Sequence, residues 1–525
     1  MSVKRISRDN CNQFSSFSKD FRTQALFSDF LQKPFTAVGD LFHQAALKAP
    51  RFSKETRINL VETLRNQIGN YASESQLRYL EQLKSDSCFT ITTGHQLTLF
   101  GGPLYLIYKV LHVVKLTQLF NDSQSTFSAV PVFWMASEDH DFEEVKSTHL
   151  FMQKVSYSSE QSGAVGRFFM SDFSEVHKQF ASFFEGKSAE INALLEIPFQ
   201  TTYAEYLQEF LSKLFADFGV LVLNPDCKTL KKEFIPVFKR ELNAPVSFNA
   251  VQRTNLMLEA KGYTPQAMAR SCNLFYLSDQ KRIRIERTDN QFSISDKLFT
   301  QEELFQLVER EPENFSPNVI LRPVYQETIL PNLMYVGGGG EMAYWTQLKG
   351  VFEAHETIYP LLCQRVSVQL IDQSMQKRLE KLNWSSELFF TDKETLKKSF
   401  LSENQSEEID FSTVDGALLE LKKTLLEKTK SIDEAMLSAT EAEMARISKQ
   451  VESLQHRLVK QLKQRHENTL SSIDFISERI LPAGTLQERY FHWLQFAPSG
   501  NYSDLLNQIY AAIDPMDTEL IEISL

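Results

Sequence analysis

The chain has 525 residues, a formal net charge of −11 and a hydrophobic content of 42%. This length exceeds one hydrophobic core, so we expect two or three domains, and the acidic balance argues against nonspecific nucleic-acid binding. The five scattered cysteines lack C-x-x-C spacing, which argues against a disulfide framework and a structural zinc site. No secretion signal and no apolar run of roughly 20 residues is found. We therefore expect a cytoplasmic protein without a membrane or nucleic-acid partner.

The first predicted α/β unit begins with the β-prone run Cys88–Thr92 and continues into a glycine-bearing turn at 93–96. Apolar residues then recur at helical spacing over Leu104–Leu119, directly after a proline that suits a first helical turn. A second predicted strand, Phe127–Trp134, runs into the acidic segment 138–144. Open α/β sheets place ligand-binding groups at the carboxyl ends of their strands in this order of elements. The pattern therefore predicts a functional site.

The rest of the chain is predicted to complete this α/β core around an insertion. The run from Gly219 to Asp226 indicates a buried strand that ends in a turn, and Asn318–Pro323 is predicted as a further strand after a polar break. The expected regions are a mainly helical segment 1–87, a first half of the core at 88–150, an inserted region at 151–315, a second half of the core at 316–365, a helical segment at 366–475, and a segment at 476–525 that returns to the core.

The segment 366–475 has the pattern of a coiled coil. From Leu418 to Leu458 the apolar residues alternate steps of three and four, with charged residues between them. The absence of proline from Asn383 to Ile480 permits one very long helix, and Val366–Leu382 is a candidate for the other arm of a hairpin. The alternative is a single amphipathic helix packed on a globular body.

The turn at 93–96 offers a hydroxyl, backbone N–H groups and an imidazole toward a helix N-terminus, where phosphate is favoured. His95 in this turn could stabilise charge that develops at a phosphorus atom. The alternative is that His95 acts only as a helix cap.

The acidic segment contains Glu138, Asp139, His140, Asp141, Glu143 and Glu144. Carboxylates and a histidine at one strand end could hold Mg²⁺, clamp an amine or supply a general base. The alternative is a solvated acidic helix start, which the helix dipole favours. The candidate catalytic residues are Asp139, His140 and Glu143.

Four consecutive glycines, Gly337–Gly340, are tolerated mainly where the backbone needs positive φ or must approach a ligand closely. No Gly-Lys-Ser/Thr follows them, so this is not a P-loop. They could form a backbone cradle for substrate or nucleotide, or alternatively a flexible hinge. Arg322, at the end of its predicted strand, and Glu327 are nearby charged residues that could pair with a substrate carboxylate or amine.

These motifs together resemble the bacillithiol biosynthesis cysteine-adding enzymes, a family of cysteine ligases. The resemblance spans nearly the whole chain and rests on T-G-H-Q at 93–96, G-P-L-Y at 102–105, P-V-F-W at 131–134 running into E-D-H-D-F-E-E at 138–144, L-R-P at 321–323 with Q-E at 326–327, G-G-G-G-E at 337–341 and L-Q-E-R at 486–489.

The resemblance implies a Rossmann-like α/β core similar to class I aminoacyl-tRNA synthetases, with connecting-peptide insertions and a long α-helical coiled coil that supports a homodimer. It implies addition of L-cysteine to the amino group of glucosaminyl-malate in the last step of bacillithiol biosynthesis, with ATP and Mg²⁺ as candidate cofactors and no structural metal. ATP use is an analogy with the synthetases, because no Met-Ser-Lys loop is present. The family more often has glutamine where His95 stands.

The candidate substrate-binding residues are Thr93, Gly94, His95, Gln96, Tyr105, Arg322, Glu327, Gly338, Gly339, Gly340, Glu341 and Tyr344. Two other functions are compatible with the residues alone. A metal-dependent hydrolase could use the acidic segment, and a non-catalytic scaffold could depend on the coiled coil.

Overall fold

The computed structural model describes residues 2–123, 126–278, 280–288, 291–405, 411–497 and 500–525. The chain forms two compact units. The first unit comprises Met1–Ile371 and Gln487–Leu525, and the second comprises Asp372–Leu486, so the second is an insertion in the sequence of the first. Of the helices described, none combines the length and the hydrophobicity that a membrane crossing requires.

The strands that the structure describes belong to the first unit, and the helices between Gln373 and Ile480 belong to the second. The strands are β1 (Ser2–Ile6), β2 (Cys88–His95), β3 (Ser128–Met135), β4 (Ser147–Leu150), β5 (Gln153–Ser156), β6 (Leu221–Leu223), β7 (Leu274–Ser278), β8 (Lys281–Thr288), β9 (Gln291–Ile294), β10 (Lys297–Thr300), β11 (Phe315–Pro317), β12 (Asn332–Gly337), β13 (Leu361–Gln364), β14 (Ser367–Ile371) and β15 (Leu520–Ser524). The helices are α1 (Ser16–Asp20), α2 (Gly39–Lys48), α3 (Lys54–Ile68), α4 (Glu74–Leu83), α5 (Leu104–Asn121), α6 (Phe142–Val145), α7 (Ser174–Ser182), α8 (Ala189–Leu195), α9 (Tyr203–Leu214), α10 (Lys228–Glu233), α11 (Ile235–Asn243), α12 (Val246–Ala260), α13 (Gln301–Arg310), α14 (Arg322–Ile329), α15 (Gly339–Trp345), α16 (Lys349–Ala354), α17 (Gln373–Leu382), α18 (Lys393–Gln405), α19 (Ser412–Ile432), α20 (Leu437–Arg465), α21 (Glu467–Ile480), α22 (Gln487–Tyr490) and α23 (Tyr502–Ala512).

The core of the first unit is a parallel sheet with the strand order β13-β12-β2-β3-β6. Side chains along β3 alternate between two apolar clusters, with Val132 and Trp134 in one and Phe133 and Met135 in the other. Both faces of the sheet are therefore buried, as parallel sheets require. The chain proceeds from β2 to β3 on one side and later places β12 on the other, so the strand order reverses beside β2.

The structure confirms the strands and the helix predicted around the first motif. β2 and α5 cover the predicted segments and extend slightly beyond them, while β3 begins and ends one residue later than predicted. The buried strand predicted after Gly219 is β6, which pairs with β3. Because β6 lies within 151–315 but belongs to the central sheet, that interval is not a single insertion.

The strand predicted at Asn318–Pro323 is wrong. Asn318 accepts the backbone N–H groups of Ile320 and Leu321 and so forms a turn, and α14 begins at Arg322 with a proline in its first turn. The strand in this region is β11, which lies earlier and pairs with β7 in the antiparallel sheet β10-β9-β8-β7-β11.

The two ends of the chain meet in a small sheet of order β1-β15-β14. β1 runs antiparallel to β15, and β14 runs parallel to it. The first segment, predicted as mainly helical, therefore begins with a strand. The return to the first unit starts at Gln487, later than the predicted 476.

In the second unit, α19 and α20 form an antiparallel helical hairpin, named the arm below. Gln455 near the middle of α20 donates to Asp415 at the start of α19, at 2.9 Å, and Thr429 and Thr440 meet beside the turn. The prediction of one very long helix is wrong, because Asp433 adopts an extended backbone and its side chain caps the next turn.

The prediction that Val366–Leu382 forms the other arm of a hairpin with the long helix is also wrong. Its first half forms β14, and its second half forms α17, which packs on α21 instead of the arm. Arg378 of α17 donates to Ser472 at 3.2 Å, and its guanidinium lies 4.2 Å from the ring of Phe475.

Candidate active site

A cleft of about 1000 Å³ lies at the carboxyl edge of the central sheet. Every strand of that sheet contributes a lining residue at or just after its carboxyl end. These residues are Arg365 after β13, Gly338 after β12, Gln96 after β2, Asp139 after β3 and Pro225 after β6. The cleft is thus in the position where open α/β sheets bind ligands.

The wall facing these strand ends comes from the inserted antiparallel sheet. Phe275 of β7 and two arginines of β8, Arg282 and Arg284, line it, and Arg270 from the preceding loop extends it. Tyr490, at the end of α22, lines the cleft as well and stacks on the ring of His149 at 4.1 Å.

At the end of β2, the imidazole of His95 lies 4.9 Å from the ring of Tyr105, and both residues line the cleft. Burial, together with the positive charge of Lys109, lowers the pKa of His95 to about 3. The imidazole is therefore neutral at pH 7. Its Nε2 atom has no hydrogen-bond partner among the described residues.

Asp139 presents an ionised carboxylate to the cleft. Its Oδ2 accepts from Gln96 Nε2 at 2.7 Å, and its Oδ1 accepts from the backbone N–H of His140 at 2.7 Å. Burial alone would raise the pKa of Asp139, but the hydrogen bonds from His140 and Gln96 and the charge of Arg282 hold it well below its usual range. Gln96 also donates to Glu144 at 2.9 Å, so one amide group positions two carboxylates.

His140 lies beside this carboxylate and also lines the cleft. Its Nδ1 atom is 3.6 Å from Asp139 Oδ1 and 3.3 Å from Arg282 Nη1. Because a guanidinium can only donate, Nδ1 acts as the acceptor in the contact with Arg282.

The other members of the acidic segment differ in position, because Glu138 and Glu144 also line the cleft whereas Asp141 and Glu143 do not. Glu138 forms a buried ion pair with Lys231, and burial raises the pKa of Glu138. Asp141 caps α6, while the side chain of Glu143 is 79% exposed, pairs with Lys146 and does not line the cleft. In the described part of the chain, no three His, Cys, Asp or Glu side chains form a group that could hold a metal ion.

The glycine turn between β12 and α15 holds a carboxylate of its own chain. Gly338 donates its backbone N–H to Glu341 Oε2 at 2.8 Å, and the Tyr335 hydroxyl donates to Glu341 Oε1 at 2.5 Å. Lys109 of α5 lies 2.5 Å from the same Glu341 Oε2 and also donates to the carbonyl of Gly94. Burial would raise the pKa of Glu341, but Lys109 keeps it low.

Glycine is required within this turn by close packing. A Cβ atom on Gly339 would lie 2.8 Å from the Ser18 side chain. The Glu341 side chain of α15 already accepts the Gly338 N–H, so this N–H group of the predicted backbone cradle is not free to bind a ligand.

Arg322 begins α14 and does not end a strand as predicted, yet it lines the cleft. Its guanidinium lies 5.5–5.8 Å from the rings of Trp134, Tyr335 and Trp345. Glu327 lies five residues further, roughly 140° around the helix, so it faces away from Arg322. It is buried against Lys48 and accepts from Asn332 at 2.6 Å.

The structure thus brings together most of the predicted site residues and separates a few. Thr93 donates to the Val336 carbonyl at 2.7 Å and is outside the lining, as are Glu143 and Glu327. The predicted residues that line the cleft are Gly94, His95, Gln96, Tyr105, Asp139, His140, Arg322, Gly338, Gly339, Gly340, Glu341 and Tyr344.

Sequence reasoning missed several charged residues that line the cleft, which include Lys109, Arg365 and the arginines of the inserted sheet. Lys109 stands within the apolar pattern of α5, and that exception was a usable signal. Arg365 forms a bidentate pair with Glu488, at 2.9 and 2.6 Å, and its guanidinium lies 5.3 Å from the ring of Tyr105.

Comparison with known proteins identifies the family. The family model described as "Bacillithiol biosynthesis BshC, N-terminal Rossmann-like domain" matches residues 1–366, and "Bacillithiol biosynthesis BshC, C-terminal coiled-coil domain" matches residues 368–524. These matches confirm the predicted Rossmann-like and coiled-coil fold class.

Similar proteins that bear the name "Putative cysteine ligase BshC" occur in several bacteria. The chain is 35% identical to that of Cytophaga hutchinsonii over 520 residues, with 98% of this chain and 97% of the relative covered. The Flavobacterium johnsoniae protein is 34% identical, with 94% of each chain covered, and the Salinibacter ruber protein is 30% identical, with 90% and 91% covered. The chain therefore belongs to the bacillithiol biosynthesis BshC family.

Proposed function

We propose that this protein is the ligase that joins L-cysteine to the amino group of glucosaminyl-malate in the last step of bacillithiol biosynthesis. The observation that carries the proposal is the ionised carboxylate of Asp139 at the carboxyl edge of a Rossmann-like sheet, in a chain of this family. An anionic group in this position attracts an amine-bearing substrate and orients its nitrogen.

The reaction forms an amide bond. The amine nitrogen attacks the carboxyl carbon of cysteine, the bond from that carbon to its leaving group breaks, and the amine loses a proton. Asp139 accepts a hydrogen bond from the amine, and Gln96 keeps the carboxylate in place. His140, whose Nδ1 lies 3.6 Å from Asp139, would take the proton at Nδ1 in place of its hydrogen bond from Arg282.

The leaving group requires activation of the cysteine carboxyl, and we propose ATP with Mg²⁺ as the source, by the family resemblance alone. The glycine turn does not fit a phosphate as it stands, because Glu341 already holds both Gly338 N–H and Lys109. Arg365 is likewise paired with Glu488.

The two rival functions receive less support. A metal-dependent hydrolase would need the carboxylates of 138–144 to converge, whereas Glu138 and Glu143 form separate ion pairs with Lys231 and Lys146. A scaffold would not need a cleft lined by an ionised carboxylate and a neutral histidine.

Thiol analysis in a bacterium that makes bacillithiol tests the proposal. Deletion of the gene should abolish bacillithiol and cause glucosaminyl-malate to accumulate, as measured by mass spectrometry. The wild-type chain should restore bacillithiol, and so should the control Asp296→Asn, whose side chain is exposed on the β9–β10 hairpin outside the cleft. Unchanged bacillithiol in a deletion strain without a redundant enzyme would contradict the function.

A further inference from the structure

The positive charges that line the cleft differ in their partners. Lys109 pairs with Glu341 at 2.5 Å, Arg365 pairs with Glu488 at 2.6 Å, and Arg322 donates to the Gln326 side chain at 3.1 Å. Arg270 and Arg284, on the wall that the inserted sheet forms, are exposed. Neither of these two guanidinium groups has a hydrogen-bond or ion-pair partner among the residues that the structure describes.

The local structure holds Arg284 ready for an anion. It lies opposite Phe275 in the register of β7 and β8, and its guanidinium is 5.4 Å from the Phe275 ring. Stacking on a ring restricts the side chain while leaving the donor groups of the guanidinium available for a bidentate carboxylate.

Arg282, two residues earlier on the same face of β8, links this wall to the acidic site. It donates to Ser316 and to the Pro317 carbonyl, the latter at 2.8 Å, and lies 3.9 Å from Asp139 Oδ1. The positive wall and the ionised Asp139 therefore face one continuous cleft.

We infer that the amine-bearing substrate binds in one orientation, with its carboxylates at Arg270 and Arg284 and its amine at Asp139. This inference rests on the proposed function and adds the residues that recognise the dicarboxylate end. The opposite orientation would place carboxylates beside Asp139 and an ammonium beside the two arginines. Such like-charge contacts are strongly unfavourable in a partly desolvated cleft.

A binding experiment on the purified full-length chain tests the orientation. Titration calorimetry with glucosaminyl-malate should show that Arg270→Gln and Arg284→Gln each weaken binding at least about tenfold. Arg284→Lys should fall between the wild type and Arg284→Gln, because lysine keeps the charge but loses the bidentate geometry. Lys281→Gln is the matched control, since its side chain is exposed on the same strand outside the cleft.

A second ligand separates the two ends of the substrate. Glucosyl-malate, which lacks the amino group, should still bind more weakly to Arg284→Gln than to the wild type. Its affinity should not fall in Asp139→Asn, whereas the affinity for glucosaminyl-malate should.

Each other outcome has a distinct meaning. Arg489 is a further exposed arginine of the cleft lining, contributed by α22. Wild-type affinity in Arg270→Gln and Arg284→Gln, with loss in Arg489→Gln, would place the carboxylates at the C-terminal segment and overturn the orientation. Wild-type affinity in all three variants would overturn it as well. Failure of the wild-type chain to bind glucosaminyl-malate would overturn the proposed function itself, and with it this inference.

Discussion

The Rossmann-like unit and the arm differ in how they treat charged and apolar side chains. The Rossmann-like unit buries several ion pairs, such as Lys48 with Glu327 and Arg365 with Glu488. The arm exposes large apolar side chains, with Ile432 84% and Leu419 70% exposed. Buried polar interactions thus hold side chains in place in the first unit, while the arm has an apolar surface suited to a partner.

The largest effect on stability should come from breaking a buried pair beneath the cleft. Arg365→Gln leaves the Glu488 carboxylate buried without its cation and should lower the free energy of unfolding by about 3 kcal/mol. Denaturant unfolding followed by tryptophan fluorescence measures this loss. Arg5→Gln, which removes a half-exposed partner of Asp517, is the control and should cost less than about 1 kcal/mol. Equal losses of unfolding free energy in the two variants would contradict the expectation that the buried ion pair contributes more than the surface pair.

The next effect concerns chemistry rather than folding. Asp139→Asn and His140→Ala should each lower bacillithiol production at least about tenfold, as expected when a positioned acid–base group is lost. Thiol quantification in a complemented deletion strain measures the production, and thermal unfolding should be unchanged. Near-wild-type production by both variants would return the acidic segment to the alternative of a solvated helix start.

The sequence predicted the parts of the site that follow directly from local pattern. β2, α5 and β3 have strong periodicity, so Gln96 and Asp139 could be placed at neighbouring strand ends. The pair formed by Arg365 and Glu488 joins residues 123 positions apart, and only tertiary packing brings them together.

The wrong predictions of secondary structure and of the position of Glu327 have local causes. Side-chain capping by Asn318 and Asp433 overrode apolar patterns that indicated a strand and an unbroken helix. The direction of Glu327 depends on where α14 begins, so placing that residue required the helix boundary as well as the motif.

A smaller effect should appear in the pH dependence of stability. The pKa of His95 is about 3 in the folded chain and about 6.5 when unfolded. Below pH 6.5 the unfolded state therefore binds more protons, and the free energy of unfolding decreases as the pH is lowered. His95→Gln cannot titrate and should gain about 1 kcal/mol relative to the wild type between pH 7 and pH 5.5. Denaturant unfolding at both pH values measures the difference, with the exposed-site variant His43→Gln as control. A constant difference across this range would contradict burial of a neutral imidazole.

The last prediction concerns the arm and should leave the Rossmann-like unit unchanged. Leu454 and Leu458 lie one turn apart on α20 and are 56% and 46% exposed, whereas Met444 on the same helix is 1% exposed. Exposed apolar side chains at this spacing are buried when a second helix packs on them. We propose that the second helix belongs to another copy of this chain, since a symmetric dimer uses the same surface twice.

Leu454→Glu with Leu458→Glu should therefore convert a dimer into a monomer of 60.5 kDa by light scattering, because each carboxylate would be buried without a partner at the interface. The same variant should keep the unfolding transition of the first unit, since both positions are exposed within one chain. Ser448→Glu with Ser453→Glu adds the same charge at exposed polar positions of α20 and should remain dimeric. A leucine variant that stays dimeric would place the contact between copies outside this surface of the arm.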